Sequence, residues 1–595
     1  MKKFLQQILA SAIGSFAGFF LFFIVTSGGF LVLLIALLMS NNPTKIENQS
    51  ALVFNLTSQI SDYQNEVNFS SLLSDNSDVL NLREITSAIN KAAKDDRISA
   101  LYLDGSEGNI LAGYGTLNEI RTALENFRQS GKKIIAYNVS AGEKDYFITS
   151  IADEISLNPM GMMELNGLAS SQLFFADAFA KYGIGVQIIR VGKYKSAIEP
   201  FILSNYSPES KLQTTELLDD IWDSFLEKTS KNRSLVKNNF DNVANEKGIL
   251  SSQESQNLKL IDKVNYEDQI IDKLKTITNS KNQKDFRQVD IKTYLNANSV
   301  AENYSNNQIA VLYLEGTIVD GEGQIGQVGS SRYIEEIRKI RQDKNIKGVV
   351  ARINSPGGSA VASELILREL QLTAKEKPVV VSLGDVAASG GYWIATVGEK
   401  IFANDSTITG SIGVFGVLFN IEDIAKANGI NNGIVKTNKL ADLADSFNAK
   451  TPEELAIYQD NVERIYDLFL QKVSQARKIP IEQVNQIAQG RVWSGKSAKE
   501  KGLVDEIGGL DQAIEYLNTK LALNNKYQIS NYPEQRSFET ELLMKLSNSK
   551  IAEQLSEKET LAQLIWKSNT ELELQQILEN PYQVYSLLPY KLKIK

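Results

Sequence analysis

The sequence predicts an α/β protein made of two copies of one domain behind an N-terminal membrane helix, and three observations carry that expectation. The chain repeats itself at long period, each copy alternates β-rich runs with helical spacing, and the first residues form an unbroken apolar stretch.

The apolar stretch comes first. No charged residue lies between Phe4 and Thr44, the core from Ile13 to Met39 is almost wholly apolar, and Lys2 and Lys3 precede it. As a helix it would reach roughly 40 Å, enough to cross a hydrocarbon layer of about 30 Å with tilt but too short for two passes. Residues 1–45 are therefore expected to anchor the chain. The leading lysines place the N-terminus in the cytoplasm and the body outside, on the periplasmic side of the inner membrane in a bacterium.

Residues 46–300 and 301–530 read as the two copies. A constant shift of 246 positions carries Tyr146-Phe147-Ile148 onto Tyr392-Trp393-Ile394, Gly167-Leu168 onto Gly413-Val414 and Phe201 onto Phe447, without a gap. Ile221-Trp222-Asp223 lies over Ile465-Tyr466-Asp467, and Leu260-Ile261-Asp262 over Leu503-Val504-Asp505. Solenoid units run to about 50 residues, so so long a period means a duplicated domain. In the second copy Ile309–Leu314, Gly348–Ile353 and Pro378–Leu383 read as buried strands, with a helix over Ala360–Ala374 between the last two. Strand and helix in alternation imply a largely parallel sheet, with sites at the carboxyl ends of its strands. Residues 531–595 change character, with polar helical stretches at Phe538–Asn548 and Ile551–Glu579, and read as an appended tail.

Composition narrows the chemistry. The 595 residues include no histidine and no cysteine, which removes imidazole bases, thiolate nucleophiles and disulfides. No metal or cofactor is expected. A net charge of −8 without a basic stripe argues against a nucleic-acid partner. Acyl transfer then points to a serine or threonine activated by a neutral lysine.

Ser389 stands in Ala387-Ala388-Ser389-Gly390-Gly391, just after a strand and before helix-like residues, where free N–H groups favour an oxyanion. Asn354-Ser355-Pro356-Gly357-Gly358 follows the preceding strand and offers a second donor, so Gly357 and Gly390 are the candidate oxyanion-hole residues. The lysine emerges from comparing the copies. Lys195 falls on Ala441, whereas Ser389 falls on Glu143 and Ser411 on Leu165. Each half lacks what the other keeps, which implies one composite site. A free lysine, with a pKa of about 10.4, is unprotonated at pH 7 in roughly one molecule in two thousand, so the base must be desolvated. Lys193 reads as a solvated surface residue, Glu199 as structural, and Asp385 as pointing away from the lysine, since a carboxylate there would raise its pKa.

Four motifs carry a resemblance: Tyr194-Lys195-Ser196-Ala197 with Glu199-Pro200-Phe201; Asn354-Ser355-Pro356-Gly357-Gly358; Ala387-Ala388-Ser389-Gly390-Gly391-Tyr392; and Thr409-Gly410-Ser411-Ile412-Gly413. With them the chain resembles the long form of signal peptide peptidase A, the protease IV type of membrane-bound Ser–Lys peptidase, from the anchor to about residue 530. The resemblance implies Ser389 as nucleophile, Lys195 as general base and Ser411 as a hydroxyl orienting the lysine amine. It also implies tandem ClpP/crotonase-like domains, a homotetramer and a task of degrading signal peptides left in the membrane. Peptide substrates would pair along an exposed strand edge, with Val386, Ile412, Val414 and Phe415 as candidate lining or plain core. Two rivals stay open, a crotonase-type acyl-CoA enzyme and an inactive membrane scaffold that binds peptides.

Overall fold

The computed structural model describes residues 22, 46–63, 79–298, 305–534 and 585–587. The expected anchor and the two expected tail helices lie outside these residues, apart from residue 22. Among the described residues no helix is long and apolar enough to cross a membrane.

Two parallel sheets form the body, and they repeat each other strand for strand. The first runs Lys263–Val264, Glu154–Leu157, Lys133–Asn138, Ile98–Gly105, Ser50–Asn55, Gln288–Asp290, every neighbouring pair parallel. The second has the same spine in Glu506–Ile507, Ile401–Ala403, Val379–Ala388, Ile346–Ser355, Gln308–Glu315 and Gln528–Tyr532. Such strands are near-continuous runs of apolar residues because both faces are covered. Val349, Val350, Val379, Val380 and Val381 are all buried, and the helix Ala360–Ala374 packs Ile366, Leu367 and Leu370 onto the sheet. Ser359 caps that helix, its Oγ accepting the Ala362 N–H at 3.1 Å.

The copies differ where Val379–Ala388 continues past the length of its counterpart Lys133–Asn138. Its last residues pair with Ile408–Gly410, Ala388 opposite Gly410, and Ile408–Gly410 pairs in turn with Val492–Ser494.

A third sheet ties the halves together. Gly185–Val191 leaves the first copy and pairs antiparallel with Val414–Asn420 of the second along its whole length, Gly185 opposite Asn420 and Val191 opposite Val414. Ile189 thereby joins the second copy's core, and Ala388, Ile408 and Val492 join the core of the first.

A buried polar latch adds to this. Arg352, with no exposed surface, places Nε 2.8 Å from Asp62 Oδ1 and Nη1 2.7 Å from Glu119 Oε1, both from the first copy. Glu119 Oε2 accepts the Leu510 N–H at 2.7 Å, and Tyr63 stacks on Tyr313 with ring centroids 4.6 Å apart.

Candidate active site

Ser389 sits at the N-cap of the helix Gly390–Ala395 with φ 57° and ψ −116°. That backbone is strained for a residue with a Cβ, and such positions persist only when their surroundings fix them. Here the Ser389 N–H donates to the Gly410 carbonyl at 2.8 Å and the Ser389 carbonyl accepts the Trp393 N–H at 2.8 Å. The turn is thus clamped between the adjoining strand and its own helix.

Ser411, at φ 49°, follows that strand and donates its N–H to the Arg491 carbonyl at 2.7 Å. Lys195 follows the Gly185–Val191 strand of the other copy, so the strand that crosses between the halves delivers it. Its Nζ lies 2.7 Å from Ser389 Oγ, 3.0 Å from Ser411 Oγ and 3.1 Å from the Ser411 carbonyl oxygen. The three expected side chains therefore meet within one chain, 194 residues separating lysine from serine.

All three are fully buried. Burial holds the Lys195 amine well below the ordinary lysine range, and among the described residues no carboxylate opposes that shift. Asp385 turns the other way, accepting the Thr116 N–H at 2.7 Å and the Thr116 hydroxyl at 2.8 Å, away from the lysine as expected. Glu199 accepts the Ser207 hydroxyl at 2.6 Å and the Ser207 N–H at 3.2 Å, at the start of the long helix Pro208–Arg233. Lys193 is exposed.

The oxyanion candidates differ. Gly390 is the first residue of its helix, where no intrahelical carbonyl accepts the N–H. Gly357, at φ 104°, donates its N–H to Ser355 Oγ at 3.1 Å. Of the expected lining, Ile412, Val414 and Phe415 are buried and Val386 is half-buried against the core; Phe415 packs with Ile198, Phe201 and Val417, its ring centroid 5.9 Å from Lys195 Nζ.

The equivalent place in the first copy holds no such constellation. Glu143 opens the helix Glu143–Thr149, and its Oε1 accepts the N–H groups of Asn166 at 2.6 Å and Gly167 at 3.1 Å. Leu165, facing Ser411 in the alignment of the copies, is buried, and Ala441, facing Lys195, is exposed.

A model of peptidase family S49 matches residues 126–281 and 371–524, one segment in each copy. The chain belongs to that family. It is 34% identical over 491 residues to Protease 4 of Haemophilus influenzae, covering 79% of each protein. It is 33% identical over 491 residues to the chloroplastic serine protease SPPA of Arabidopsis thaliana, covering 81% of this chain and 71% of that one. A putative signal peptide peptidase SppA of Enterococcus faecium is 33% identical over 232 residues, 38% of this chain and 67% of that protein. This S49 member is a serine protease acting on peptide bonds, which sets aside the acyl-CoA enzyme and the inert scaffold.

Several residues around the S49 site had no sequence signal of their own. Gly490, at φ 77°, lies flat against Lys195: a Cβ there would stand 2.6 Å from both the Lys195 Cβ and the Lys195 nitrogen. Gly192 bends the chain beside it, and a Cβ there would meet the Gln489 carbonyl oxygen at 2.6 Å. Gln213 ties the segment down, donating to the Tyr194 carbonyl at 3.0 Å and the Ser196 hydroxyl at 2.9 Å while accepting the Val492 N–H at 3.2 Å. Gly490→Ala is expected to displace the lysine and lower kcat by about 100-fold, the scale on which a 1 Å misplacement acts. Turnover of a fluorogenic peptide, read beside circular dichroism to establish folding, checks this.

Proposed function

We propose that this S49 protease hydrolyses peptides through an acyl-enzyme on Ser389, with Lys195 as the general base. The observation that carries the proposal is the 2.7 Å approach of Lys195 Nζ to Ser389 Oγ, both side chains fully buried. The neutral amine takes the hydroxyl proton as Oγ attacks the scissile carbonyl, then returns it to the departing peptide amine. A water molecule, activated by the same amine, releases the acyl group. Ser411 orients Nζ through its hydroxyl and carbonyl oxygens, and the steps use no cofactor. The Gly390 N–H at the helix N-terminus and the Gly357 N–H, exchanging Ser355 Oγ for the substrate oxygen, stabilise the tetrahedral oxyanion.

The wider reading rests on resemblance. The two copies, 46–300 and 301–530, take the ClpP/crotonase-like form, residues 1–45 anchor the chain in the bacterial inner membrane with its body on the periplasmic side, and 531–595 form a separate tail. The protein works as a homotetramer on remnant signal peptides and other short hydrophobic peptides. The likeness to the signal peptide peptidase SppA of Enterococcus faecium supports that substrate class.

A fluorophosphonate probe tests the chemistry: one covalent adduct on Ser389 is expected, lost in Lys195→Ala, and an adduct elsewhere would refute the dyad. Because only the neutral amine acts as base, kcat/KM is expected to rise with pH through the depressed lysine pKa and then level off. Ser411→Ala, which removes one positioning hydrogen bond, is expected to lower kcat by about 10-fold to 100-fold. Initial rates across a pH series on wild type and variant read both effects.

A further inference from the structure

The first copy serves as a control for the second, because its backbone is wired in the same way around a place that holds no lysine. In the second copy Ile408–Gly410 pairs antiparallel with Val492–Ser494, Thr409 opposite Trp493, and the Ser411 N–H donates to the Arg491 carbonyl at 2.7 Å. In the first copy Met162–Glu164 pairs antiparallel with Ile249–Ser251, Met163 opposite Leu250, and the Leu165 N–H donates to the Gly248 carbonyl at 2.8 Å. Arg491 and Trp493 therefore stand where the first copy has Gly248 and Leu250. The backbone bonds form without either large side chain.

Beside the lysine these two side chains build a stack that spans the copies. The Arg491 guanidinium lies 4.9 Å from the ring centroid of Tyr194, in the first copy, and 4.2 Å from that of Trp493, in its own; Lys501 Nζ stands 4.1 Å from the Trp493 centroid. Tyr194 is the residue before Lys195, and its N–H donates to the Gln489 carbonyl at 2.9 Å. Trp493 rests on Gly410, the residue before Ser411, where a Cβ would stand 2.9 Å from the indole Cδ1. One ring thus adjoins the base, and the other supports the turn whose hydroxyl orients it. Arg491 also pairs with Glu216 on the helix Pro208–Arg233, but Glu216 is exposed, and such a pair contributes little. The buried Arg491 Nε has no acceptor among the described residues, so stacking chiefly fixes the plane of the guanidinium.

We infer that Arg491 is a positioning residue for the base: its guanidinium, held between Tyr194 and Trp493, pins the Lys195 segment of one copy to the Ser411 turn of the other and keeps water from the amine. The inference rests on the proposed dyad for the role of that amine. Burial is what lowers the Lys195 amine, so admitting water to it returns it toward the ordinary lysine range.

The test follows kcat/KM across a pH series for the full-length wild type, Arg491→Met and Trp493→Leu, the last introducing the residue that the first copy carries. With the stack broken, the rise of kcat/KM is expected to move by about one pH unit toward alkali, so each variant loses about ten-fold on the acid limb and recovers most of it on the plateau. A residue that merely supported the fold would lower the rate by one factor at every pH. Arg491→Lys keeps the charge without the planar group and is expected to shift as Arg491→Met does. Circular dichroism establishes that each variant is folded, and Arg491→Met, which keeps a long flexible side chain, carries the measurement should Trp493→Leu unfold.

A wild-type midpoint in Arg491→Met, or its full return in Arg491→Lys, would overturn the inference. Fluorophosphonate labelling of the same proteins keeps this failure apart from that of the dyad. Label on Ser389 that is lost in Lys195→Ala, together with coincident midpoints, leaves the dyad standing and removes the role of Arg491; an adduct elsewhere removes both.

Discussion

Lys195→Met is expected to lower kcat/KM by about 1,000-fold or more and at the same time make the folded protein harder to unfold. Removing a general base costs about 10²-fold to 10⁴-fold, and the chain has no histidine to replace it. Methionine keeps the length and flexibility of the lysine stem, so the site stays packed while the amine is gone. Lys195→Arg is expected to be equally inactive, because a guanidinium stays charged at any working pH and cannot accept the serine proton.

The stability gain follows from the same burial. The folded state holds the amine below its ordinary pKa, while the unfolded chain binds that proton up to about pH 10.4. Between the two values the unfolded state carries more protons. Stability therefore rises with pH through this window and is penalised in full below it. The methionine variant escapes the penalty, so its excess stability should be largest in mild acid and fade toward about pH 10.4. Urea unfolding of both proteins at several pH values measures it. A variant that is active, or less stable at every pH, would remove the neutral-lysine mechanism.

Much of the architecture was legible because it rests on local pattern. The helix over Ala360–Ala374 forms at the residues its spacing indicates, and the valine-rich runs are the central parallel strands. The complementary substitutions at Ser389/Glu143 and Lys195/Ala441 foretold that the copies share one constellation, since a duplication exposes which side chains each half has given up.

What escaped the sequence depends on contacts between distant segments. The strand expected over Pro378–Leu383 runs five residues further. It continues to Ala388 because Gly384 admits Asn354, where a Cβ would lie 2.9 Å from the Asn354 Cβ, and because Thr116 of the other copy takes up the Asp385 carboxylate. Gly357–Ser359, placed by the sequence only as a donor-bearing segment after a strand, form a strand with partners on both sides. Gly490 and Gln213 had no motif to betray them. Their role is steric fit and hydrogen bonding against the Lys195 segment, and such fit leaves no periodicity. Glu143 gave no hint that its carboxylate would gather two N–H groups in the first copy.

The other large effect lies away from the serine. Arg352→Met is expected to destabilise the protein by about 3–5 kcal/mol, because it strands two buried carboxylates, Asp62 and Glu119, that the guanidinium now pairs. Arg352 also donates to the Ser382 hydroxyl at 2.9 Å, on the strand that ends at Ala388 just before Ser389, so the variant should lose activity before it unfolds globally. Acid should soften the damage. Burial already raises the Glu119 pKa to about 7 against the pull of Arg352, and removing that pull raises it further. The folded state then keeps a proton that the unfolded chain, with a glutamate pKa of about 4.3, gives up, so stability falls as pH climbs through the interval between them. The variant's deficit should accordingly be smaller at pH 5 than at pH 8, so that, as for Lys195→Met, its stability relative to wild type falls as pH rises. Adding Asp62→Asn and Glu119→Gln removes the stranded charges and should recover most of the loss, as neutral replacement of a whole buried cluster generally does. If Arg352→Met unfolds at the wild-type urea concentration, the latch contributes nothing, and the crossing strand Gly185–Val191 and Gln213 must hold Lys195 against Ser389 without it.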